Sequence, residues 1–136
     1  MEKTIAVVLA GGRSSRMGGH PKCLCSLGEG RIIDYLLARL SPQVDEILLN
    51  IAPGSSLVEE IFRHPTHRPA HISVVEDLYP SFSGPLAGIA SSIQYLRARN
   101  SPANWLLSVA SDTPFIPTDL YSRFLQATTL HNNHVY

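Results

Sequence analysis

Thr4 to Ala10 reads T-I-A-V-V-L-A, an unbroken apolar run that stops at Gly11-Gly12. A run without polar alternation suits a strand covered on both faces, as in a parallel sheet. Arg31 to Leu40 switches to helical spacing, with Ile32, Ile33, Leu36, Leu37 and Leu40 on one face and Ser41-Pro42 at its end. Asp45 to Ala52 is a second apolar strand, closed by Pro53-Gly54. Ser55 or Ser56 can cap a short helix through Phe62, with Glu59 and Glu60 in its first turns. Arg63 to Ala70 alternates Pro and His and reads as loop, and His71 to Glu76 is a third strand with partial alternation. After a Pro/Ser/Gly loop from Pro80 to Pro85, Leu86 to Arg99 predicts a long helix buried along Ile89, Ile93 and Leu96. Asn104 to Ala110 reads as a fourth buried strand. Thr118 or Asp119 can cap a last helix to about Thr129, and the remaining tail has no regular pattern.

This alternation of strands and helices predicts an α/β fold: an open, mostly parallel, Rossmann-like sheet with helices on both faces. Ligands in such sheets bind beyond the carboxyl ends of the strands, here the loops after Ala10, Ala52, Glu76 and Ala110. At 136 residues the chain is one domain in size, 1–136, and its 44% hydrophobic and 16% charged content excludes disorder as the main state. Eleven basic residues balance eleven acidic ones, so no surplus charge calls for nucleic acid or an anionic membrane. Any anion site must be local. No apolar run is long enough to span a bilayer, and the N-terminal one is too short for a signal peptide. Cys23 and Cys25 are too close to bridge readily and too few for a metal centre, so the chain reads as reduced and cytoplasmic. Their C-L-C-S-L setting predicts a small strand with structural roles.

The loop after the first strand concentrates chemistry. Between Gly11 and Lys22 it holds Gly12, Gly18, Gly19, Arg13, Arg16 and Lys22, a set that suits a triphosphate. Its backbone N–H groups can cradle phosphate oxygens. It has neither the Walker A spacing nor a G-x-G-x-x-G. A mobile Gly/Ser connector is the plainer alternative. Ser111-Asp112-Thr113-Pro114 places a carboxylate at a strand end, where it can hold Mg²⁺ against phosphates or simply form a turn. Gly84-Pro85-Leu86-Ala87-Gly88 opens a helix, and either admits a ligand close to free N–H donors or only makes a tight turn. Asn50 and Asp77, at the second and third strand ends, can bond a base or ribose or serve as turn residues. His20 falls in the glycine loop. His64, His67 and His71 lack the partners of a metal set, His131 and His134 read as tail residues, and Trp105 reads as core or sheet surface.

Taken together, L-A-G-G-x-S-x-R-M-G-G-x-x-K, G-P-L-A-G and S-D-T-P-F-I-P, in that order, resemble the molybdenum cofactor guanylyltransferases of the nucleotidyltransferase fold group. The resemblance runs from about Ile5 to Leu125. It implies that Leu9, Ala10 and Gly11 meet guanine and ribose through backbone groups, with Gly12 and Arg16 in the phosphate loop. It implies Lys22 on the triphosphate, Asn50 and Asp77 as further GTP contacts, and Asp112 on Mg²⁺, with Lys22, Asp112 and Arg16 as the catalytic set. The implied reaction moves GMP from GTP to a molybdopterin-type cofactor and releases pyrophosphate, with cofactor-delivery or acceptor proteins as further candidate partners. That family normally continues past the point where this sequence stops, so the expectation is a nucleotidyltransferase-like domain without the family's C-terminal part. A GTP-binding remnant without catalysis, or a relative using another phosphorylated acceptor, are the alternatives.

Overall fold

The computed structural model describes residues 3–11, 16–17, 20–63, 69, 71–78 and 84–130. In chain order the elements are β1 (Ile5–Leu9), β2 (Arg16–Met17), β3 (His20–Pro21), β4 (Ser26–Leu27), β5 (Gly30–Arg31), α1 (Ile32–Leu40), β6 (Glu46–Ile51), α2 (Leu57–Ile61), β7 (Ile72–Glu76), α3 (Pro85–Ala98), β8 (Leu106–Ala110) and α4 (Leu120–Leu130). The four long strands form one sheet in the order β7-β6-β1-β8, and β2–β3 and β4–β5 are two-residue antiparallel ladders. Every pairing in the long sheet is parallel. The register sets Leu9 beside both Asn50 and Ala110, and Ile51 beside Glu76. All four carboxyl ends therefore share one rim.

The central strands β1 and β6 are apolar because they are covered twice. Ala6, Val8, Ile47 and Leu49 face α1 and α2 with Ile33, Leu36, Leu40 and Ile61, while Ile5, Val7 and Leu48 face α3 with Leu96. Burying one such side chain contributes about 1.5–3 kcal/mol. Arg31 ties the first layer together. Its own N–H meets Asp34 Oδ2 at 2.9 Å, and its guanidinium donates to the Glu60 and Ile61 carbonyls at 2.9 and 2.7 Å. The end of α2 is thus held at the start of α1.

Three sequence expectations change. In the C-L-C-S-L run only Ser26–Leu27 forms a strand, and the cysteines precede it. Lys22–Leu24 is a 3₁₀ turn, closed by the Cys25 N–H on the Lys22 carbonyl at 3.0 Å, and this turn buries Cys23. The buried face of α3 is not the Ile89/Ile93/Leu96 stripe, since Ile93 is 40% exposed. Ala87, Gly88, Ser91, Ser92 and Leu96 face inward, because small residues let the helix lie close to the sheet. The two serines return their hydroxyls to the Ala87 and Gly88 carbonyls, each at 2.8 Å. Finally, β8 is an edge strand among the described residues, with Ser108 and Ala110 exposed and Trp105 on the surface beside it.

At the opposite end of the sheet from the rim, Glu46 is buried and joins three elements. Oε1 lies 3.3 Å from Lys3 Nζ, and Oε2 accepts from Arg99 at 3.0 Å and Ser73 Oγ at 3.2 Å. Burial alone would raise its pKa, but the hydrogen bonds and charges of Arg99 and Lys3 win and hold it below the usual 4.5. A depressed folded pKa stabilises above the unfolded value, and that contribution is lost as pH falls through the folded one. Both cations are partly exposed and screened. Glu46→Gln should therefore cost about 1 kcal/mol at neutral pH and progressively less as pH falls below the usual carboxylate range, measured by urea unfolding.

Candidate functional site

The rim brings together four segments that are distant in sequence. Ala10 N–H bonds the Asn50 carbonyl at 2.9 Å, Asp77 N–H bonds the Ile51 carbonyl at 3.0 Å, and Ser111 N–H bonds the Leu9 carbonyl at 3.2 Å. Leu9–Gly11, Asn50, Asp77 and Ser111–Asp112 thus sit on adjacent strand ends. Asn50 is 2% exposed, and its amide donates to Asp77 Oδ1 at 2.8 Å and to the Val75 carbonyl at 3.3 Å. Asp77 is partly exposed beside it.

Two glycines fit around this pair. A Cβ on Gly11 would stand 2.6 Å from Asp77 Oδ2 and 3.2 Å from Asn50 Oδ1. A Cβ on Gly88 would strike Asn50 Oδ1 and come within 2.8 Å of Asn50 Cγ and Leu9 Cδ2. So G-P-L-A-G serves two purposes. Gly84 takes φ +99, which a side chain would strain, to start α3 at Pro85. Gly88 lets α3 rest on the asparagine. Sequence reasoning missed Ser91, which accepts the Leu78 N–H at 2.9 Å and so fixes the backbone just after Asp77. Two consecutive serines inside an apolar helix were the available signal.

On the other side of the rim, Asp112 is exposed and Lys22 opens its 3₁₀ turn. Neither makes an ion pair among the described residues. Each is next to a buried anchor, Cys23 at 2% and Ser111 at 5% exposure, and the two anchors interact. Gly12 lies outside the described residues. Arg16 pairs through its backbone with Pro21, but its side chain lies outside them too. His64, His67, His131 and His134 also lie outside.

Burial pushes the Cys23 thiol up to about 11, with the negative Asp112 adding to the rise and Ser111 and Arg31 opposing it. A raised thiol pKa stabilises the fold up to the unfolded value near 9.0 and is lost as pH climbs toward 11. In a thiol-reagent titration at about pH 8, Cys25 should react first and Cys23 only on unfolding. Equal rates for both thiols in the folded chain would contradict this arrangement.

No group of three or more His, Cys, Asp or Glu side chains converges on a metal position among the described residues. Mg²⁺ needs no such cage. It is usually held by one or two carboxylates, with substrate phosphates and water completing the shell. An exposed carboxylate just past a strand end, without an ion pair among the described residues, as at Asp112, fits that donor set.

Residues 6–136 match the MobA-like NTP transferase domain family. The chain belongs to that family. A molybdenum cofactor guanylyltransferase of Nitrobacter hamburgensis is 39% identical over 123 residues, covering 90% of this chain and 54% of that protein. One of Mesorhizobium japonicum is 39% identical over 132 residues, covering 96% and 59%. The chain therefore spans about half the length of these curated relatives. The 4-diphosphocytidyl-2C-methyl-D-erythritol synthase of Anaerococcus prevotii shares the fold, with TM-score 0.66 and 18% identity over 93% of this chain and 50% of that one. The sequence-based α/β assignment and family resemblance hold. MobA-like domains are nucleotidyltransferases, and this chain carries that fold. No helix among the described residues is long and apolar enough to cross a membrane.

Proposed function

We propose that this chain binds GTP along the β7-β6-β1-β8 rim and transfers its GMP to the terminal phosphate of a molybdopterin-type cofactor in the cytoplasm. The observation that carries the reading is the convergence of Leu9–Gly11, Asp77 and Gly88 around Asn50, with Lys22 and Asp112 near the adjoining β8 end. Guanine as the base and the pterin acceptor follow from the relatives' printed names. The chain matches only about half of each relative, so the acceptor side is the larger extension.

Backbone groups of Leu9, Ala10 and Gly11 hold the nucleoside. Lys22 and the glycine loop, including Gly12 and Arg16, take the triphosphate. Asp112 is the residue that would hold Mg²⁺, which when bound offsets phosphate charge during nucleotidyl transfer. The acceptor phosphate is already ionised at neutral pH, so its oxygen attacks the α-phosphorus without a general base. The new P–O bond replaces the bond to the β-phosphate oxygen, and pyrophosphate leaves with that electron pair. The residues' tasks are in-line positioning and charge stabilisation.

Thermal unfolding with Mg²⁺ and each of GTP, CTP, ATP and UTP tests the nucleotide half. At about a hundred times its Kd, GTP should add roughly 2.7 kcal/mol and raise Tm by about 10 °C, with smaller shifts for the others. No shift with any nucleotide would overturn the reading. Pyrophosphate release with a molybdopterin acceptor tests the transfer half. GTP binding without release would support the second reading, a nucleotide-binding half without transfer.

A further inference from the structure

Asn50 and Asp77 both lie on the nucleotide rim, and the family resemblance makes each a GTP contact. The geometry separates them. Asn50 has two amide hydrogens, and its nitrogen has two acceptors, Asp77 Oδ1 at 2.8 Å and the Val75 carbonyl at 3.3 Å. No donor is left for a ligand. The carbonyl end is closed in by Gly88 and Gly11, since a Cβ on either would crowd Asn50 Oδ1. The residue is 2% exposed.

Asp77 is the reverse. It is partly exposed, and only Oδ1 is held by Asn50. Oδ2 lies against Gly11, on the segment that carries the nucleoside-facing backbone, and has no hydrogen bond among the described residues. A base or ribose entering this corner meets Asp77 and the backbone of Gly11, with Asn50 behind them.

We infer that Asn50 is a positioning residue that acts on the nucleotide only through Asp77, by holding the Asp77 carboxylate toward Gly11. This rests on the GTP reading above. The role accounts for both glycines: Gly88 gives Asn50 its seat and Gly11 gives Asp77 its space. It also accounts for Ser91, whose hydroxyl fixes the Leu78 N–H and so steadies Asp77 from the other side.

A double-mutant cycle on the Kd of Mg·GTP tests the inference. Asp77→Ala should weaken binding about ten- to a hundredfold, the scale of a lost hydrogen bond to a charged group. Asn50→Ala should weaken it by no more than that. The double variant should bind within about twofold of Asp77→Ala alone, because the asparagine has then lost the group it acts through. If the two fold-losses multiply instead, Asn50 touches the nucleotide itself and the inference fails.

Asn50→Asp covers the case where Asn50→Ala does not fold. It keeps the shape but sets two carboxyl groups in contact, which must share a proton. Its GTP affinity should approach wild type at about pH 5 and fall as that proton is lost. Affinity that follows wild type at every pH would overturn the inference. Wild-type protein that binds no GTP would sink the functional reading. The positioning claim would then be decided without nucleotide. Among all asparagine side-chain amide signals in the NMR spectrum, that of Asn50 should move most in Asp77→Ala, and an unmoved signal would refute it.

Discussion

Gly88→Ala should lower stability, although helix propensity alone predicts a gain of about 0.8–1.0 kcal/mol for that exchange inside α3. The new Cβ meets Asn50 Oδ1 and Cγ and Leu9 Cδ2. Leu9 is only partly buried and can rotate away. Asn50 cannot, because its amide is tied to Asp77 and Val75 and it has almost no exposed surface. Either the helix moves off the sheet or the hydrogen bond to Asp77 breaks. Overpacking costs about 1–3 kcal/mol, and a hydrogen bond to a charged group contributes about 1.5–3 more. The net loss is about 2–4 kcal/mol, or a fall in Tm of roughly 10 °C for a chain of this size. GTP affinity should fall with it if Asn50 orients Asp77. Ala90→Gly, at an exposed site in the same helix, is the control and should cost about 1 kcal/mol. A stabilised Gly88→Ala protein would show that α3 does not rest on Asn50.

The same contact marks how far sequence reasoning reaches. β1 and β6 were legible because central parallel strands are largely apolar on both faces, and Ile5–Leu9 and the I-L-L run of β6 carry that pattern. β8 was misread for the complementary reason. L-L-S-V-A is as apolar as a central strand, and nothing in a one-dimensional pattern reports that, among the described residues, the strand pairs on one side only. In α3 the pattern pointed to Ile89 and Ile93, whereas the helix turns its small residues inward. Hydrophobicity identifies what prefers to be buried, while close approach selects what is small enough to be. The positions of Asp77 and Asp112 just past strand ends could be read from strand–loop order, because a parallel sheet puts those ends on one rim. The Asn50–Asp77 bond could not. It depends on the β6–β7 register, which pairs Asn50 with Val75 and brings Asp77 alongside.

Lys22→Ala and Asp112→Ala should remove most transfer activity by different routes. Each side chain is carried beside a buried anchor, Cys23 or Ser111, so removing its charge should leave the fold nearly unchanged. Surface substitutions of this kind normally stay within about 0.5 kcal/mol. In the proposed reaction Lys22 would offset triphosphate charge in both ground and transition states. Its loss should weaken GTP binding even without Mg²⁺ and lower kcat/KM by about 10²–10³-fold, the scale of removing one preorganised charge-stabilising group. Asp112 is the carboxylate that the proposal gives to Mg²⁺. Its loss should leave metal-free GTP binding near wild type and abolish the Mg²⁺ dependence of both affinity and turnover. Titrating GTP into each variant with and without Mg²⁺ separates the two. The double variant should be little worse than the weaker single one, because groups that stabilise the same developing charge are not additive. Should Asp112→Ala retain full Mg²⁺ dependence, the ion is held elsewhere on the rim. Should Lys22→Ala retain full GTP affinity, the phosphates rest on the glycine loop alone.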